Sequence, residues 1–316
     1  MARKVIIDCD PGIDDAIALI LALFDPRLDV IAVTTCSGTV ESERCTQNVV
    51  GLLEKLDPPR IPRIGAGTDP DDAPVTDNRY LHGEDGLGNV HFTPIQRQHI
   101  MSSEKLLADQ IKSSPDSVTV LCLGPLTGLA KAFQRDPSII EQVDKVVIVG
   151  GATHGIGDVT AAAEFNMHFD PSSASSVLRS QTTRTLIPLE VTNQVTFDLN
   201  LLNSLPGKHT RAGSVLHSIV PHLFRSYRQH RGQEAITLNA VLGVAYLVEP
   251  MLFGSEEYCV DVEELGELTR GATIVDRRPY GSNRRGVEII NRVDVDAVRD
   301  CVINGLKFAG QATGGG

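Results

Sequence analysis

The chain has 316 residues, 41% of them hydrophobic, with 29 Lys and Arg against 40 Asp and Glu and a formal net charge of −11. That length holds one large α/β domain or two small ones, and the apolar fraction suffices for a real core. The acidic balance argues against nucleic acid as a partner, apart from a local basic stretch over 276–285, and no apolar run reaches the length of a signal peptide or the ~18 residues of a membrane span, so a cytoplasmic location is expected.

From the N-terminus, Val5-Ile-Ile-Asp8-Cys9 reads as a buried strand over 4–9, and Pro11-Gly12 turns the chain into a helix over 14–24. Period-two alternation sends Asp8 and Asp10 to one side, with Asp14 and Asp15 close behind. Four carboxylates in eight positions then converge at the carboxyl end of a strand. So close together they repel and take up protons unless a cation or a donor network holds them ionised, and Ca²⁺ and Mg²⁺ both prefer oxygen ligands.

Further strands are predicted at 28–36, 117–123, 144–150, 184–190 and 256–261, with late ones at 273–276 and 287–293. Helical periodicity falls at 41–56, 103–113, 126–134, 171–180, 211–228, 237–248 and 294–308. This alternation predicts an α/β fold: a single domain over 1–312 with an open, mostly parallel sheet flanked by helices, and a flexible tail over 313–316. Ligands of such sheets bind outside the carboxyl ends of the strands, where the polar residues gather. The segment His82-Gly-Glu-Asp-Gly-Leu-Gly-Asn-Val-His91 has the look of a mobile loop that covers a site. The six cysteines, at 9, 36, 45, 122, 259 and 301, form no CxxC pair and read as reduced core residues.

Asp8-Cys-Asp10-Pro-Gly-Ile-Asp14-Asp15, His82-Gly-x-x-Gly86-Leu-Gly88, Gly124-Pro-Leu-Thr127, Gly150-Gly151 and Ala163-Glu164-Phe165-Asn166-x-x-x-Asp170-Pro171 follow one another in that order. Together they closely resemble the inosine-uridine-preferring nucleoside hydrolases, across nearly the whole chain. The resemblance implies a Ca²⁺-dependent enzyme that hydrolyses the N-glycosidic bond of ribonucleosides, as a homodimer or homotetramer. By position, Asp10 and Asp15 would bind calcium with the main-chain carbonyl of Thr127, and Asp10 would be the base that activates the attacking water. Asp14, Glu164 and Asn166 would hold ribose hydroxyls, and Asp8 would orient its neighbours. His82, Tyr227 and His230 fall in regions that reach the nucleobase in the family.

The chain also departs from the family's pattern. The late helix of the family opens with a Pro-Leu-His-Asp-Pro type segment, whose Asp completes the calcium shell and whose His protonates the leaving base. Here the stretch reads Thr237-Leu238-Asn239-Ala240-Val241. Asn239 donates a hydrogen bond but delivers no proton, and Ala240 ligates nothing, so calcium is expected to bind weakly. Thr39 replaces an Asn beside the catalytic water, and Asp158 replaces an Asn at the ribose 5′ end. The changes fit a divergent branch with another substrate or leaving-group strategy, a nucleoside- or ribose-binding protein without turnover, or an engineered pair at 239 and 240 that traps a ligand. Against the pure binder stands the retention of Asp10, Asp14, Asp15, Glu164 and Asn166, whose burial without a ligand would only cost stability. Haloacid-dehalogenase-type phosphatases share an Asp-x-Asp after the first strand but not the continuation or the Glu-Phe-Asn segment. Gly151-x-x-x-Gly155-x-Gly157 lacks dinucleotide-binding spacing.

Overall fold

A computed structural model describes residues 2–72, 78–92, 100–278 and 285–314. Among them the strands are β1 (Arg3–Cys9), β2 (Leu28–Cys36), β3 (Arg63–Thr68), β4 (Met101–Ser102), β5 (Val118–Cys122), β6 (Lys145–Val149), β7 (Arg184–Ile187), β8 (Thr196–Phe197), β9 (Ile236–Thr237), β10 (Phe253–Val262), β11 (Thr273–Asp276) and β12 (Val287–Val293). Ten of them make one sheet in the order β11-β10-β12-β7-β6-β5-β1-β2-β3-β4, and β8 pairs with β9 in a separate ribbon. From β4 to β12 every described pairing is parallel, while β10 and β11 add an antiparallel edge.

The central strands are apolar on both faces, as a sheet covered on both sides requires. Val5, Ile7 and Cys9 of β1 pack beneath the helices Ile13–Phe24, Ser42–Leu56, Arg211–Ser226, Asn239–Val248 and Val295–Ala312. Ile6 faces the opposite core, closed by Ser103–Ser113, Thr127–Arg135 and Pro171–Arg179. The helix Ile13–Phe24 is buried almost all round, which is why its sequence is nearly all apolar after the two acids at its start.

Strand order reverses at β1, which has β2 on one side and β5 on the other. That switch point opens a crevice at the carboxyl ends, and Asp10 stands at its lip. Most predicted elements lie within a residue or two of the observed ones. The strand expected over 184–190 ends at Ile187 and gives way to a short helix, Leu189–Thr192. Strand β3 was missed because Arg63-Ile-Gly-Ala-Gly-Thr68 carries two glycines and a single β-branched residue before its end. Thr313, expected in a flexible tail, is buried, its hydroxyl bonds to Ala309 O at 2.8 Å, and it accepts the Ala212 N–H; 315 and 316 lie outside the described residues. Part of the basic stretch, 279–284, lies outside the described residues.

Candidate active site

Pro11-Gly12 ends β1 and starts a helix whose first turn holds Asp14 and Asp15. Gly12 N–H donates to Asp15 Oδ2 at 3.0 Å, the backward half of a capping box. Capping uses one oxygen of Asp15, and the other, Oδ1, is buried with no hydrogen-bond partner. Asp10 is held at Oδ2 by the Thr39 backbone N–H at 2.6 Å and the Thr39 hydroxyl at 3.0 Å. Two glycines clamp it: a Cβ on Gly38 would lie 2.2 Å from Asp10 Oδ2, and one on Gly124 2.4 Å from Oδ1. No side chain fits at either place without moving the carboxylate.

Electrostatics follow from this crowding. Burial, with repulsion from Asp14, raises Asp10 to about 7 against the pull of the Thr39 hydrogen bonds. Burial and the charges of Asp14 and Asp10 push Asp15 well above the usual carboxylate range. Asp8 is raised to about 6 by burial, and Thr34 Oγ1 donates to its Oδ1 at 2.6 Å. Asp8 therefore sits beneath the crevice, bonded to β2, and does not line it.

The facing wall comes from the loop after β6. Glu164 caps the short helix Phe165–Phe169, its Oε2 accepting N–H groups of Gly151 at 2.9 Å and Met167 at 3.1 Å. Burial first, then the Asp158 charge, lifts it to about 8. Asp158 accepts the Phe165 N–H at 2.9 Å, and its own pKa is raised by burial and lowered by Arg231. Asn166 donates its amide to Leu123 O at 2.8 Å and Val149 O at 3.1 Å, tying the ends of β5 and β6 together. With both amide hydrogens committed, Oδ1 is the atom left for a ligand.

The segment from His82 to His91 is pinned rather than loose. Asp85 is buried and accepts N–H groups from Leu87, Asn89 and His91, each at 2.8 Å, while Asn48 holds its carbonyl. His82 is buried as well, and its Nδ1 accepts the Ile13 N–H at 3.0 Å. Burial and the Arg231 and His222 charges lower its pKa against the opposing pull of Asp14. It is a neutral ring that carries its hydrogen on Nε2.

Beyond the helix Arg211–Ser226 the chain widens into a π turn, Tyr227–Arg231, closed by Gly232. This turn brings Tyr227 and Arg231 to the cleft and leaves His230 exposed, edge-on to Tyr80 with ring centroids 5.7 Å apart. Arg231 lies 4.9 Å from the Tyr227 ring centroid. Asn239 lines the cleft with Oδ1 buried and unpartnered, and Ala240 N–H reaches Asp14 Oδ2 at 3.5 Å.

One cavity thus gathers Asp10, Asp14, Asp15, Thr39, His82, Asp158, Glu164, Asn166, Tyr227 and Asn239. Thr127 and His230 are not among its lining residues; the Thr127 hydroxyl bonds Asp170 Oδ2 at 2.6 Å at the foot of its helix. Arg231 escaped sequence reading, although its place four residues after Tyr227 and just before Gly232 was the available signal.

Residues 5–300 match the family described as inosine-uridine preferring nucleoside hydrolase. The chain belongs to that family. This nucleoside hydrolase family member is similar to the non-specific ribonucleoside hydrolase RihC of Salmonella enteritidis, with 34% identity over 96% of this chain and 98% of the relative. Its fold is similar to that of a plant nucleoside hydrolase, with a TM-score of 0.90 and 29% identity over 97% and 99% of the two chains. A purine-preferring ribonucleoside hydrolase from Gardnerella vaginalis also gives a TM-score of 0.90, with 26% identity over 98% and 99%.

The donor set fits a hard divalent cation in part. Asp10 and Asp15 are buried carboxylates with an orphaned oxygen at Asp15 Oδ1, the arrangement that a cation relieves. Alanine at 240 offers no side-chain oxygen, and among the described residues no group of three or more His, Cys, Asp or Glu is arranged to hold a metal. No helix of the described residues is long and apolar enough to cross a membrane.

Proposed function

We propose that this hydrolase cleaves the N-glycosidic bond of ribonucleosides to free base and ribose, with weakly bound calcium between Asp10 and Asp15. The observation that carries the proposal is the clamped carboxylate of Asp10, facing Glu164 and Asn166 across one cleft. Calcium, when bound, would polarise water and draw ribose oxygens into its shell, with the Thr127 carbonyl as a further ligand.

The chain's own groups divide the remaining work. Asp10, one oxygen fixed by Thr39, takes a proton from the attacking water. Asp14, Glu164 Oε1 and Asn166 Oδ1 accept the ribose hydroxyls, since the other polar atoms of Glu164 and Asn166 are committed to backbone. These carboxylates also stabilise the oxocarbenium-like charge that develops on the sugar. Asp158, which lines the same cleft and bears on Glu164 through its charge, would meet the 5′ end.

Incubation with uridine, inosine, cytidine and adenosine in calcium, followed by chromatography of free base, tests this reading. Base release abolished by Asp10→Ala is the expected result. Saturable nucleoside binding with no base released over prolonged incubation would leave a binding protein on a hydrolase scaffold, the alternative that Asn239 and Ala240 motivate.

A further inference from the structure

The rear wall of the cleft holds hydrogen-bond donors, and its phenol, Tyr227, gives up its proton less readily than usual because burial raises its pKa. His82 accepts the Ile13 N–H at Nδ1, so Nε2 offers a hydrogen bond from a neutral ring. Asn239 offers an amide at the start of its helix, and Tyr227 holds its hydroxyl 2.7 Å from Thr237 Oγ1. Arg231 is the one permanent cation among the described residues of the cleft. Its guanidinium is 3.5 Å from the Tyr227 hydroxyl and 3.4 Å from the Tyr80 hydroxyl, and the π turn aims it inward.

We propose that this wall releases the base as an anion, the Arg231 guanidinium taking the charge that a general acid would otherwise neutralise, so that the preferred substrates are N-ribosides with acidic leaving groups. The inference rests on the N-glycosidic hydrolysis proposed above. In the step, the C1′–N bond breaks and both electrons stay on the base nitrogen. The water oxygen bonds to C1′ and one of its protons passes to Asp10. The base anion leaves the cleft and is protonated by solvent. A fixed cation in a partly enclosed pocket stabilises developing negative charge without reorganising, an effect of about 10²–10³ in rate. Without proton transfer to the nitrogen, the full acidity difference between bases is expressed in the rate, and an aminopurine leaves slowest.

The test compares uridine, 5-fluorouridine, adenosine and 4-nitrophenyl β-D-ribofuranoside on the full chain in calcium, the last releasing a stable anion that needs no proton. The expected result is a steep series: 5-fluorouridine about tenfold or more above uridine, the nitrophenyl riboside about 10² above it, and adenosine lowest. Arg231→Gln should lower kcat on uridine by about 10² and on the nitrophenyl riboside far less, while Asn239→His should flatten the series by supplying an acid. A flat series on the unaltered chain, or an equal loss on every substrate in Arg231→Gln, would overturn the inference and leave the hydrolase reading standing. Failure to hydrolyse any riboside, the nitrophenyl one included, would overturn both.

Discussion

The two walls of the cleft carry different chemistry, acids on one and mainly neutral donors with a cation on the other. The front wall, at the end of β1, keeps Asp10, Asp14 and Asp15, and each is tied into place by the turn that follows the strand or by its neighbours. The rear wall, from Tyr227 to Ala240, offers Arg231, an amide and a methyl group. On the mechanism proposed here, water activation belongs to the front wall and departure of the base to the rear one, so the two are separable.

The largest test breaks the front wall. Asp10→Asn keeps the Thr39 contacts at an isosteric amide but removes the base, and kcat on uridine should fall by about 10³–10⁴, measured by release of uracil. A loss below tenfold would move the base elsewhere. Repairing the rear wall comes next: Asn239→His with Ala240→Asp should raise inosine and uridine turnover by about 10²–10³ and tighten calcium, read by titration calorimetry.

A third test concerns the charge stored in the front and facing walls. Asp10 and Glu164 titrate near 7 and 8 in the folded chain, above the ordinary carboxylate value. Between pH ~4 and 8 the folded form binds protons that the unfolded form does not, so stability falls as pH rises through that window. In EDTA, Tm should drop by about 5 °C from pH 6 to pH 8, and calcium should recover most of the loss at pH 8. A Tm that rises over this range without calcium would refute the buried-charge account. Smallest of all, His230→Ala should alter kcat/KM by less than about twofold, because the π turn leaves that ring outside the cleft.

The front wall was legible in the sequence because its chemistry is local: strand, Pro-Gly turn and four acids lie within thirteen positions. Glu164 and Asp170 also act locally, each preceding a helix and bonding its own first turn, though neither was read as a cap. The rear wall was only half legible. A regular helix would put residues three and four places after Tyr227 on its side, so periodicity does not separate His230, which was singled out, from Arg231, which was not; only the wider turn does. The sequence likewise could not reveal that Thr39 grips Asp10, since that contact spans two strands. Asp85 was hidden by its glycines, which suggested looseness where three amide bonds close the loop.

That closure at Asp85 bears on how a ligand is received. Ordering a free segment around a guest costs roughly 1–2 kcal/mol of backbone entropy per residue, which is subtracted from affinity. Here the ordering is completed during folding, and the imidazole of His82 stands in register before any encounter. Along this rim, those bonds leave less backbone freedom to be lost when a ligand arrives.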